Sequence, residues 1–220
     1  GGCSTSTPHA YDPAQEIEYR YSAPGPFAVQ KVALPPASGQ PDGMAFIPIG
    51  HDGPAPVVVW QNGTGEPIAT YDAIARHLAS WGLAVLGSND RQMGSGETAI
   101  SLIGNAVLWS ATPGHPLHGR IDAESFALVG SSQGAVRTIN AHTRFALGRC
   151  ATTLAIHGIP SRDAIDFFRL DIAYDASGVT APTLVLTGTE DEFISPVSLN
   201  QLIFDGLSPS TLNLFGVARG

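Results

Sequence analysis

The chain has 220 residues and a mass of 22.9 kDa, is 43% hydrophobic and only 14% charged, which suits one large domain with a buried core and excludes a charge-extended disordered chain. Nineteen acidic against eleven basic residues leave a net charge of −8, which argues against nucleic acid as a partner, because a phosphate backbone needs a basic face. No apolar run approaches the ~20 residues of a membrane-spanning helix.

Residues 1–14 read as a leader and 15–220 as a single domain. In chain order, residues 17–21, 27–34 and 45–49 read as strands, separated by turns such as Ala23-Pro24-Gly25-Pro26. Val57-Val58-Val59-Trp60 is a short, wholly apolar strand that runs into the Gly-rich turn Gln61-Asn62-Gly63-Thr64-Gly65. From Tyr71 onward, Ala73, Ile74, His77, Leu78 and Trp81 recur at helical spacing, and residues 83–86 form the next buried strand. Residues 98–109, 133–145 and 196–204 read as helices; 126–129, 151–156, 183–186 and 211–215 read as strands. Short apolar strands alternating with amphipathic helices predict an α/β fold: a mostly parallel central sheet with antiparallel N-terminal strands and helices on both faces. In such sheets ligands bind beyond the carboxyl ends of the strands, so the chemistry is expected in those loops.

One of these loops carries Gly130-Ser131-Ser132-Gln133-Gly134. It is G-x-S-x-G between an apolar strand and a helix, the context in which this motif presents a nucleophilic serine on a strained turn. Ser132 is the candidate nucleophile; the competing reading is an ordinary Gly-rich connection. A serine hydroxyl needs a base, and the base an orienting carboxylate. Asp191, at the end of the 183–186 strand and its acidic loop, is the candidate acid, with Glu190 and Glu192 as rivals. The developing oxyanion needs two N–H donors. The candidates are the amides of Thr64, in the turn after residues 57–60, and of Gln133, at the start of the helix.

Together these residues resemble the α/β-hydrolase superfamily, in its bacterial polyester-hydrolase, cutinase-like and chlorophyllase-like branch. The resemblance covers most of the chain: Gly25-Pro26-Phe27-Ala28-Val29, residues 57–65, residues 77–85, the serine turn, Pro182-Thr183-Leu184, Gly188-Thr189-Glu190-Asp191 and Ile194-Ser195-Pro196. It implies a lidless serine carboxylic-ester hydrolase that needs no cofactor and no metal. Its expected partner is a small-molecule or polymeric ester, and its expected state is a monomer. It also implies that Ile194 lines the ester site. His157 falls where the polyester hydrolases commonly place a tryptophan, so it is expected to line the substrate cleft. A thioesterase or lipase of the same fold, or a non-catalytic binding protein that has lost its base, are the alternative readings.

The base is the open point. In this fold the order is serine, acid, histidine, yet none of the seven histidines (His9, His51, His77, His115, His118, His142 and His157) follows Asp191. The expectation is a C-terminally truncated domain whose catalytic histidine lies just beyond Gly220; His157 as a migrated base is the competing reading. His115 and His118 have a spacing compatible with metal ligation but no acidic or thiol companion nearby. Cys150, in an apolar run, reads as a buried inert thiol. Gly1-Gly2-Cys3-Ser4 resembles the end of a bacterial lipoprotein signal, which makes Cys3 a candidate lipid anchor and the cell envelope or exterior the expected location.

Overall fold

A computed structural model describes residues 16–37, 41–91, 96–145, 147–158, 175–192 and 196–219; the expected leader with Cys3, and Ile194, lie outside the described residues. Among the described residues eight strands build one sheet: β1 (Ala28–Leu34), β2 (Gly43–Ile49), β3 (Ala55–Gln61), β4 (Ala84–Ser88), β5 (Ile121–Ser131), β6 (Cys150–Ile156), β7 (Thr183–Gly188) and β8 (Asn213–Ala218). Their spatial order is β1-β2-β4-β3-β5-β6-β7-β8. The β1–β2 and β2–β4 pairings are antiparallel and the other five are parallel. The carboxyl ends of β3 to β8 therefore share one edge of the sheet. Among the described residues no helix is long and apolar enough to cross a membrane.

Helices α2 (Asp72–Ser80, led by a 3-10 turn at Ile68–Tyr71), α3 (Glu97–Ala111), α4 (Gln133–Phe145) and α5 (Val197–Gly206) lie in the crossovers. Alternation along β3 explains the layers. Val57 and Val59 point to one face and pack with Ala99, Leu102 and Ala106 of α3. Val58 and Trp60 point to the other face and pack with Ile68, Ala75 and Ala79 around α2. Ile139 of α4 joins Val185 of β7 and Ile203 of α5 in a third cluster. Each large apolar side chain so enclosed contributes roughly 1.5–3 kcal/mol.

Two expectations change. Residues 17–21 form a helix, α1 (Glu16–Ser22), not a strand. Ile17, Tyr19 and Tyr21 alternate with charged residues as a strand would, but the segment has no partner in the sheet, so its backbone groups bond locally; all three side chains are exposed. β5 begins at Ile121, five residues earlier than the apolar run, because its first half carries Asp122 and Glu124.

Two glycines fix how closely α4 approaches the sheet. A Cβ on Gly130 would lie 2.2 Å from the Gly134 carbonyl oxygen, and one on Gly134 would lie 2.1 Å from the Gln61 carbonyl oxygen. Gly104, inside α3, has open space around it. Opposite signs are expected: Gly134→Ala lowers the unfolding free energy by about 3 kcal/mol or more, whereas Gly104→Ala raises it by about 0.5–1 kcal/mol, both read by urea denaturation.

His142 of α4 is buried, with Nε2 2.7 Å from Thr153 Oγ1 on β6. Burial lowers its pKa from 6.5 to about 4. Between those values the unfolded chain binds a proton that the folded chain does not, so this contribution to stability is complete above pH 6.5 and is lost as the pH falls towards 4. His142→Gln is expected to flatten the fall of unfolding free energy across that window relative to the wild type.

Candidate active site

β5 ends at Ser131 and α4 begins at Gln133, so Ser132 alone turns the chain from strand to helix. Its φ is +56°, a left-handed conformation that costs a residue with a Cβ on the order of 1 kcal/mol or more. The surroundings hold it there. The Ser132 N–H donates to the Ile156 carbonyl of β6 at 2.8 Å, and its own carbonyl accepts from the Ala135 N–H at 3.0 Å. The result is a half-buried serine at the carboxyl edge of the sheet.

The loop after β3 runs beside it. A Cβ on Gly63 would lie 3.5 Å from Ser132 Cβ. The Gly63 N–H donates to the Tyr71 hydroxyl at 2.7 Å, and the Tyr71 ring packs against Trp60 at 4.9 Å between centroids. Asn62 Nδ2 donates to the carbonyls of Ser88 at 2.7 Å and Asp90 at 3.4 Å, while the Gly65 N–H donates to the Arg91 carbonyl at 3.2 Å. The loop is thus braced on both sides, with Thr64 exposed between the braces. Among the described residues the amides of Thr64 and Gln133 donate to no acceptor. The Gln133 amide also opens α4, where the helix dipole favours negative charge.

Asp191 follows β7, its N–H directed at the Gly188 carbonyl at 3.4 Å. Its side chain is half-buried, whereas Glu190 and Glu192 are exposed. His157 follows β6 with φ +49° and donates its N–H to the Leu186 carbonyl at 2.8 Å. Its Nδ1 stands 3.6 Å from Asp191 Oδ2. Ser132, His157 and Asp191 therefore sit beyond three adjacent strands, with the histidine between the other two. Among the described residues no hydrogen bond links Ser132 Oγ to His157.

The braces Asn62 and Tyr71 had no signature in the sequence: one is a turn residue and the other an aromatic at a helix start. His115 stacks on Trp109, with ring planes 3° apart, and among the described residues no group of three or more His, Cys, Asp or Glu side chains could hold a metal ion. Cys150 is partly exposed, its Sγ directed at the Thr152 carbonyl, and burial raises its pKa. The chain matches no family model and no curated protein.

Tyr71→Phe leaves the Gly63 N–H without its acceptor. The expected cost is about 1–2 kcal/mol of unfolding free energy, together with faster hydrogen exchange at the Gly63 amide; unchanged exchange there would contradict the brace.

Proposed function

We propose that this chain is a serine carboxylic-ester hydrolase with the α/β-hydrolase fold, acting on a small-molecule or polymeric ester through an acyl-enzyme at Ser132. The observation that carries the reading is the left-handed Ser132 on a one-residue strand-to-helix turn, beside the Gly63 loop. The sheet supports the same reading: an antiparallel N-terminal edge followed by parallel strands, with serine and acid at carboxyl ends in the order the fold requires.

Ser132 Oγ attacks the ester carbonyl and gives its proton to a base oriented by Asp191. The carbonyl oxygen, now negative, accepts from the amides of Thr64 and Gln133. Collapse expels the alcohol, which takes the proton from the base and leaves the acyl group on Ser132. Water, deprotonated by the same base, then attacks the acyl carbon and releases the acid. The chain-order rule calls for a histidine after Asp191 as that base. The 3.6 Å approach of His157 Nδ1 to Asp191 supports a second reading in which His157 fills that role.

Hydrolysis of p-nitrophenyl butyrate by the full chain separates these outcomes. Ser132→Ala is expected to lower kcat about a thousandfold or more; equal rates for variant and wild type would refute the esterase reading. His157→Ala is expected to stay within about tenfold of wild type if the base lies elsewhere, and to fall as far as Ser132→Ala if His157 is the base.

A further inference from the structure

The Tyr71 hydroxyl is engaged on one side only. Its oxygen accepts from the Gly63 N–H at 2.7 Å, and its own O–H donates to no group among the described residues. A phenol both accepts and donates, so one proton remains for an acceptor that the fold does not supply. The place of that proton matters. A Cβ built on Gly63 would stand 2.9 Å from the Tyr71 oxygen and 3.5 Å from Ser132 Cβ, so the phenol and the candidate nucleophile flank one point at the carboxyl edge of the sheet. Thr64, whose amide is directed at no acceptor among the described residues, is the next residue in the chain.

The hydroxyl is held firmly there. Tyr71 ends the 3-10 turn that leads into α2, and its half-buried ring packs on the buried Trp60. The loop it braces is stiff as well: Asn62 Nδ2 holds the Asp90 carbonyl, and Asp90 Oδ2 accepts from Thr98 Oγ1 at 2.6 Å. Accepting from Gly63 fixes the orientation of the phenol and strengthens its O–H as a donor, because linked hydrogen bonds polarise one another.

We propose that Tyr71 is a catalytic residue whose O–H donates a third hydrogen bond to the oxyanion formed when Ser132 attacks the ester, beside the amides of Thr64 and Gln133. The inference rests on the esterase reading. A fixed donor binds a full negative charge more strongly than a neutral carbonyl oxygen, so this bond favours the transition state over the bound substrate. The proton stays on the phenol throughout, and the bond weakens again when the intermediate collapses.

Two substitutions in the full chain separate donating from bracing. Tyr71→para-methoxyphenylalanine keeps an oxygen that accepts from Gly63 but has no proton, whereas Tyr71→para-aminophenylalanine keeps N–H donors on a poor acceptor. Rates on p-nitrophenyl butyrate are normalised to the serine titrated by a fluorophosphonate. Tyr71→Phe and the methoxy variant are expected to lower kcat about tenfold to a thousandfold with KM within about threefold, and the amino variant to exceed Tyr71→Phe by about tenfold. Hydrogen exchange at the Gly63 amide is expected to sort them differently: slow in wild type and the methoxy variant, fast in the other two. The donor role is overturned if the methoxy variant keeps kcat within about twofold of wild type, or if kcat follows Gly63 protection across the series. Should the methoxy variant not fold, equal kcat in the amino variant and Tyr71→Phe overturns it. Equal hydrolysis by Ser132→Ala and wild type would instead overturn the esterase reading.

Discussion

A single residue turns the chain from β5 into α4, and the rest of the candidate site depends on that economy. With no spare residue, Ser132 must take a left-handed conformation, and the first turn of α4 must press against the carboxyl ends of β3 and β5. Only glycine at 130 and 134 tolerates that approach, because any Cβ there would meet backbone at 2.1–2.2 Å. The strain is small beside the packing of α4 through Ile139 and Ala141 on its two sides. The same closeness brings the Asn62–Gly65 loop against the serine.

The polar groups around this turn act as scaffolding. Tyr71 accepts from the Gly63 N–H and Asn62 donates to the Ser88 and Asp90 carbonyls, while the amides of Thr64 and Gln133 are directed at no acceptor within the described residues. Preorganised donors of this kind stabilise charge that develops during a reaction without having to reorganise first.

Much of the architecture was legible because a strand buried on both faces leaves an uninterrupted apolar run, as at Val57–Trp60, and because the serine turn has a fixed spacing of glycines. Residues 17–21 misled because alternation alone cannot say whether a partner strand exists. The start of β5 was hidden by Asp122 and Glu124, which interrupt the apolar signal at an end of the sheet where side chains reach water. The contacts that brace the site could not be read from sequence: Tyr71 to Gly63, Asn62 to Ser88 and Asp90 to Thr98 join residues whose proximity only the folded packing creates. The approach of His157 to Asp191 belongs to the same class, set by the register of β6 on β7.

Acyl transfer, as proposed, needs one activated hydroxyl, that of Ser132. Intact-mass analysis after treatment with a fluorophosphonate, followed by peptide mapping, tests it most directly. One covalent adduct per chain, located on Ser132, is expected; no adduct on the folded protein, or an adduct on another residue, would refute the assignment.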